Sequence, residues 1–189
     1  YIPPGDYTVT KPLLFDKRIF LFGLKDNKPN ITLRNDSDDV NQTGMTLLAG
    51  GRINNINFIG GGGIKTLLQF GGTSRDKKNP NEDDVDGSIE NSSFSNFRKA
   101  IVYNGRNCRI QDSTFDSQRK NSDGELKKST DITLSYKNIE VDNGPKDGRG
   151  TLPHYSNRKN RFQGNTFSEG QDNTGIHVAG QVPVRGMLI

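Results

Sequence analysis

A single short pattern occurs four times along this chain of 189 residues. It begins at Arg52 (RINNINFIG), Ser88 (SIENSSFSN), Arg109 (RIQDSTFDS) and Arg161 (RFQGNTFSE), and it places an apolar residue five positions before a phenylalanine. The phenylalanine column contains Phe58, Phe94, Phe115 and Phe167. The apolar column contains Ile53, Ile89, Ile110 and Phe162. Columns matched in this way predict stacked copies of one structural unit.

Polar residues fill the positions between these two columns. The first polar column contains Asn55, Asn91 and Asp112, and the second contains Asn57, Ser93, Thr114 and Thr166. Asn and Asp favour tight turns, because their side chains hydrogen-bond nearby backbone groups. We therefore expect Asp112 to be a turn residue within a polar ladder.

Short apolar alternations follow three of the four copies, and they are typical of strands with one buried face. They read LLQFG from Leu67, AIVYNG from Ala100 and GIHVAG from Gly175. The residues expected to point inward are Leu68, Phe70, Ile101, Tyr103, Ile176 and Val178. The residues expected to point outward are Gln69, Val102 and His177. Each unit is therefore predicted to contain two strands and two turns.

The spacing of the phenylalanines separates the possible architectures. Phe94 and Phe115 are 21 residues apart, about one coil of a parallel β-solenoid. The separation of 36 residues fits one coil with an insertion, and that of 52 fits two coils with an insertion or one with a long loop. A β-sandwich is the alternative, but it does not require matched columns. We predict an all-β chain, a parallel β-helix formed by one domain over residues 1–189, with insertions at about 73–87 and 119–160.

Composition agrees with a thin core and limits the partners. Only 30% of the residues are hydrophobic and there is no tryptophan, so a thick globular core is poorly supplied. The net charge of +4 comes from 26 basic and 22 acidic residues, and the basic clusters are short and lack interleaved aromatic residues. We expect no nucleic-acid partner. No apolar stretch is long enough to cross a bilayer, so we expect no membrane insertion. The single cysteine, Cys108, excludes an internal disulfide.

Two stretches resemble a known family. Ile2, Pro3, Gly5 and Tyr7 in the opening YIPPGDYTV match the first coil of pectate-lyase-like right-handed β-helix proteins, and NRFQGNTFSEGQDNTGIHVAG from Asn160 is similar to later coils of the same superfamily. The resemblance implies a single-stranded, right-handed β-helix. Members act on acidic or complex polysaccharides as lyases, hydrolases or epimerases, and they form the body of many bacteriophage tailspikes. Such proteins place a capping helix before this opening segment, so we expect the chain to be a fragment of a longer protein.

Glycoside hydrolysis requires two carboxyl groups at a defined separation. Outward carboxylates one or two coils apart in a solenoid lie near that separation. The candidate catalytic residues are Asp116, Glu169 and Asp172. The candidate substrate-binding residues are His177, Arg109, Tyr155 and Glu90. A surface or turn position is the alternative interpretation of each. We expect no cofactor. Calcium at the acidic run NEDDVDG (residues 81–87) is the alternative, but the run lacks the ligand spacing of a known calcium loop, so a solvated charge run is favoured.

These expectations converge on a phage tailspike or similar depolymerase that binds a bacterial surface polysaccharide outside the cell. The resemblance implies a homotrimer carried on the virion. The alternatives are a secreted bacterial polysaccharide lyase or hydrolase and a non-catalytic adhesin that only binds glycans.

Overall fold

The computed structural model describes residues 1–35, 42–71, 85–104, 107–117, 129–135, 160–167 and 173–179. These residues form six successive coils. Coil 1 contains β1 (Asp6–Val9), β2 (Leu13–Phe15) and β3 (Ile19–Phe22). Coil 2 contains β4 (Asn30–Leu33), β5 (Gln42–Leu47) and β6 (Gly51–Asn54). Coil 3 contains β7 (Asn57–Gly60), β8 (Ile64–Phe70) and β9 (Asp86–Glu90).

The remaining strands continue the same order. Coil 4 contains β10 (Ser93–Ser95), β11 (Lys99–Tyr103) and β12 (Asn107–Gln111). Coil 5 contains β13 (Thr114–Asp116), β14 (Ser129–Ser135) and β15 (Arg161–Gln163). Coil 6 contains β16 (Thr166–Phe167) and β17 (Asn173–Ala179). Among the described residues, no helix is available that could span a bilayer.

Three parallel sheets enclose the core. The first strands of the six coils pair as sheet A, the second strands as sheet B, and the third strands of coils 1 to 5 as sheet C. Every adjacent pair of strands is parallel, and each pairing joins one coil to the next. The prediction of a parallel β-helix is therefore confirmed.

The phenylalanine column forms one continuous stack inside sheet A. Phe58 and Phe94 have ring centroids 5.4 Å apart, Phe94 and Phe115 4.9 Å, and Phe115 and Phe167 5.2 Å. The interplanar angles do not exceed 15°. The stack follows from the fold, because in-register parallel strands hold equivalent side chains about 4.8 Å apart.

The other inward columns complete the core. The apolar column of the repeat lies in register inside sheet C, where Ile53, Ile89, Ile110 and Phe162 are buried. Inside sheet B, Leu68, Phe70, Ile101 and Tyr103 are buried as predicted. Gln69 occupies the predicted outward position, but it is also buried, and its Nε2 donates to the carbonyl oxygen of Gly71 at 2.9 Å. A buried amide of this kind needs such a partner, because an unpaired polar group costs free energy.

The predicted polar ladder forms the corner between sheets C and A. Asn55, Asn91 and Asp112 have φ values of 59°, 46° and 48°, and Gly164 occupies the equivalent position with φ of 65°. This left-handed conformation is accessible to glycine and is tolerated best, among other residues, by Asn and Asp. The backbone conformation therefore restricts this column to Asn, Asp and Gly.

A second corner column satisfies backbone groups between coils. The amide nitrogen of Ile56 donates to Ser92 Oγ at 3.3 Å, that of Ser92 to Ser113 Oγ at 3.3 Å, and that of Ser113 to Asn165 Oδ1 at 3.1 Å. Ser92 and Ser113 are buried. Their hydroxyl groups replace the water that a corner amide would otherwise need.

Two expectations differ from the structure. The unit of two strands is wrong, because each of coils 1 to 5 has three strands and RIQDSTFDS spans β12, a two-residue corner and β13. By contrast, the separation of 36 residues is one coil, as predicted, and that of 52 is also one coil, the second of its two alternatives, since β7, β10, β13 and β16 are successive neighbours in sheet A. Strand β14, which sequence analysis missed, falls inside the stretch 119–160 assigned to an insertion.

Asn91 offers a test of the corner column. Its Nδ2 donates to Asn55 Oδ1 at 2.8 Å, and its Oδ1 accepts from Lys28 Nζ at 2.9 Å. Asn91→Ala is expected to lower the free energy of unfolding by about 2–5 kcal/mol, because a left-handed alanine costs about 1–2 kcal/mol and each of the two hydrogen bonds contributes about 0.5–1.5 kcal/mol. Asn91→Gly should lose about 1 kcal/mol less, since only the hydrogen bonds disappear.

Urea unfolding of the two variants, followed by circular dichroism, measures this difference. If the alanine variant is as stable as the glycine variant, the left-handed conformation does not select the residue at this corner.

Candidate functional site

The structure separates the candidate residues among the three sheets. Arg109 and Glu90 lie on the outer face of sheet C, whereas Asp116 lies on the outer face of sheet A. His177 is placed by its backbone in β17 of sheet B, in register with Thr133. Glu169, Asp172 and Tyr155 lie outside the described residues. Of the four candidates within the described residues, Arg109 and Glu90 alone share one face.

Two outward columns cross sheet C, and together they are called the sheet C outer face. The basic column contains, from coil 1 to coil 5, Phe20, Arg52, Ser88, Arg109 and Arg161. The amide column contains, in the same order, Phe22, Asn54, Glu90, Gln111 and Gln163. Because parallel pairing is in register, these side chains form two rows that run along the solenoid axis.

An aromatic platform occupies the coil 1 end of this face. Phe20 and Phe22 are 56% and 47% exposed, although outward positions elsewhere on the face are polar. The ring centroid of Tyr1 lies 5.6 Å from that of Phe22, and the guanidinium carbon of Arg52 lies 5.7 Å from the Phe20 ring centroid. The second geometry is a cation–π contact. Exposed aromatic side chains that the core does not need are typical of binding surfaces.

Charged and amide side chains continue the face beyond the platform. Arg52, Arg109 and Glu90 are exposed. The only ion pair found within the described parts of the chain joins Arg18 to Asp86 at 4.0 Å, so none of these three has an ionic partner there. In the amide column, Gln163 Oε1 accepts from Arg161 Nη2 and, at 3.5 Å, from Gln111 Nε2. The face therefore offers both donors and acceptors to a ligand.

Asp116 stands apart from this face. It is half-buried and pairs in register with Ser95 of the preceding coil. Its outward column contains Thr8, Thr32, Ile59 and Ser95, so no second carboxylate precedes it in this column of the described coils. The pairing of Asp116 with Glu169 or Asp172 stays a prediction, because both partners fall outside the described residues.

Two buried groups with nucleophilic chemistry belong to the core. Burial raises the pKa of the Cys108 thiol, which therefore stays protonated near neutral pH. Burial likewise raises the pKa of Tyr103, whose hydroxyl group lies 2.6 Å from the carbonyl oxygen of Val85 and 2.8 Å from that of Asn107. Neither group is exposed for reaction with a polysaccharide.

Metal binding gains no support from the residues that are described. No group of three or more His, Cys, Asp or Glu side chains suited to a metal ion occurs among them. Residues 81–84 of the acidic run considered for calcium lie outside the described ranges. Calcium stays a prediction.

Sequence reasoning missed four charged or aromatic members of the sheet C outer face. Arg52 and Arg161 open two copies of the repeat at the same column as Arg109, so alignment of the copies contained the signal. Phe20 and Phe22 lie in the alternating stretch IFLFG, which has no phenylalanine five residues after its aligned apolar position.

Comparisons of the chain with protein-family models, curated proteins and solved structures find no match.

Proposed function

We propose that this β-helix binds a polysaccharide along the sheet C outer face. One observation carries the proposal: an exposed aromatic platform lies in line with side chains of Arg, Glu and Gln on the same flat face. Sugars combine apolar ring faces with many hydroxyl groups, and this surface offers a partner for each. The resemblance to pectate-lyase-like proteins also favours a polysaccharide.

The chemistry of the face suits a chain of sugars. The apolar side of a ring can pack on Phe20 or Phe22, which gains burial without ordering a flexible side chain. Hydroxyl groups can donate to the Glu90 carboxylate and accept from the Arg109 guanidinium. Strand pairing fixes the spacing of these groups before the ligand arrives, so little conformational entropy is lost on binding.

Cleavage of the polysaccharide is the second part of the proposal and rests on the family resemblance together with Asp116. Incubation with bacterial capsule or lipopolysaccharide distinguishes the alternatives. New reducing ends indicate a hydrolase, and absorbance of an unsaturated uronate indicates a lyase. Binding without either product indicates an adhesin. Detection of this protein in purified phage particles tests the tailspike role.

The aromatic platform provides the test of the binding surface. The double variant Phe20→Ala with Phe22→Ala should weaken polysaccharide binding about tenfold or more, because burying one such side chain contributes about 1.5–3 kcal/mol. Leu14→Ala is the matched control, since Leu14 is 67% exposed on the outer face of sheet B. Binding is measured by calorimetry against a panel of capsule and lipopolysaccharide preparations.

Circular dichroism first establishes that all three proteins are folded. Equal affinities for the double variant and the unsubstituted protein would contradict the proposed surface. An equally large loss in Leu14→Ala would contradict it as well, because the effect would then not be specific to sheet C.

A further inference from the structure

Arg109 and Arg161 form an arrangement that the fold alone does not favour. They are register partners in adjacent parallel strands, so their Cα atoms are about 4.8 Å apart. Like charges directly opposite each other destabilise a sheet. Neither guanidinium pairs with a carboxylate within the described ranges, where the only ion pair is that of Arg18. Places where a chain departs from such a local rule are expected to be functional.

Arg161 also departs from the rule that buried polar groups are hydrogen-bonded. Its Nη2 donates to Gln163 Oε1, but its Nε atom is buried and has no hydrogen-bond partner. A buried donor without an acceptor costs about 1–3 kcal/mol. A ligand oxygen between the two guanidinium groups would neutralise the repulsion between them.

We propose that Arg109 and Arg161 form an anion clamp for a carboxylate or sulfate group of the polysaccharide. The inference rests on the proposed function and assigns the glycan a negative charge. Guanidinium groups suit this ligand, because their planar fork of donors matches the oxygens of a carboxylate or sulfate in two parallel hydrogen bonds. The Gln163 amide oxygen accepts from Arg161 and so helps to position its guanidinium group.

The position of Arg52 indicates how the acidic groups are spaced. Arg52 and Arg109 occupy the same column two coils apart, with Ser88 between them, so their backbones are separated by about 10 Å. This separation is close to the length of a disaccharide in an extended polysaccharide. The geometry therefore points to a chain that runs along the solenoid axis and carries an acidic group on alternate sugars.

Glu90 favours an acidic glycan over a nucleic acid. It lies in the column beside Ser88 and is exposed, so it places a negative charge on the coil between those of Arg52 and Arg109. A nucleic acid presents a charge at every nucleotide and would be repelled there. An uncharged sugar between two acidic ones would instead donate a hydroxyl group to Glu90.

The experiment compares Arg109→Gln with the control Arg98→Gln, since Arg98 is also exposed but lies between β10 and β11, away from sheet C. The probes are hyaluronan, which has a carboxylate on alternate sugars, dextran sulfate, neutral dextran and a single-stranded DNA oligonucleotide. We expect Arg109→Gln to weaken hyaluronan or dextran sulfate binding about 10- to 100-fold, as for loss of a charged hydrogen bond. Whichever of the two probes binds more tightly identifies the acidic group.

Stability without ligand provides a second readout. Arg109→Gln should leave the urea midpoint unchanged or raise it, because the substitution removes a like-charge contact. A lower midpoint would show that Arg109 serves the fold and would overturn the clamp. Tighter binding of the DNA oligonucleotide than of either acidic polysaccharide would also overturn it.

The clamp can fail while the proposed function stands. If Arg109→Gln binds the acidic probes with unchanged affinity, but the Phe20 and Phe22 double variant loses polysaccharide binding, the surface is retained and only the clamp is rejected. If neither acidic nor neutral polysaccharides bind the unsubstituted protein, the proposed function itself is rejected.

Discussion

Replacing Phe94 with alanine is expected to lower the free energy of unfolding by about 3–5 kcal/mol. Phe94 is 0% exposed and occupies the middle of the phenylalanine stack. Its ring contacts Phe58 on one side and Phe115 on the other, with interplanar angles of 11° and 7°. The substitution removes both contacts and leaves a cavity that rigid neighbouring strands cannot fill by collapsing.

Urea unfolding followed by circular dichroism measures the loss. Phe167→Ala is the matched control, because Phe167 is only half-buried and stacks on the described phenylalanine of one neighbouring coil, Phe115. Its loss should be clearly smaller. Phe94→Leu retains most of the volume and keeps the comparison possible if Phe94→Ala does not fold. Equal losses at Phe94 and Phe167 would contradict the assignment of the stack as the centre of the core.

The second large effect is expected at Gly51, the first residue of β6. Gly51 has a φ of 156°, a conformation that other residues rarely adopt. A Cβ atom there would overlap the backbone carbonyl oxygen of Ile19 in the preceding coil. Gly51→Ala should therefore destabilise the protein by about 2–5 kcal/mol, which combines backbone strain with overpacking against a backbone that cannot move aside.

Gly62→Ala is the control for this substitution. A Cβ atom at Gly62 would have no heavy atom within 4 Å, so its effect should be within about 0.5 kcal/mol. Thermal unfolding of both variants under identical conditions gives the comparison. A Gly51→Ala protein as stable as Gly62→Ala would show that the coils can separate locally at this corner.

The repeat predicted the middle of the fold because packing and backbone conformation select residue types strongly there. Phe58, Phe94 and Phe115 stack on one another, and the left-handed corner admits few residues besides Asn91 and its equivalents. Matched columns in the sequence therefore report matched positions in space. The coils that carry these residues were predictable without any structure.

The number of sheets was not predictable from the same pattern. A two-residue corner contributes Asn55 and Ile56 between two strands, and a straight strand of alternating residues would have a similar sequence. The left-handed φ of Asn55 turns the chain, and the sequence shows this only as a preference for Asn. For the same reason the predicted unit has two strands, whereas the repeat itself covers two separate strands, β12 and β13.

The candidate site was predicted only in part. Arg109 and Glu90 are both predicted as substrate-binding residues, and they share one face because register places them in adjacent columns. Phe20 and Phe22 were missed because surface aromatic residues and core aromatic residues look alike in a sequence without a repeat to align them. The sheet on which a residue lies depends on the number of strands per coil. The sequence alone therefore could not show that Asp116 and Arg109 lie on different sheets.

The Phe115–Phe167 contact shows that the number of residues between two stacked phenylalanines has little effect on their stacking distance. These residues are 52 positions apart and stack at 5.2 Å, whereas Phe94 and Phe115 are 21 apart and stack at 4.9 Å. Closing the longer loop costs only about 0.8 kcal/mol more, because the entropy of closure grows with the logarithm of length. Segments between coils can therefore be lengthened, shortened or exchanged during evolution while the solenoid body keeps its register. A new ligand preference can arise on such a body without a new fold.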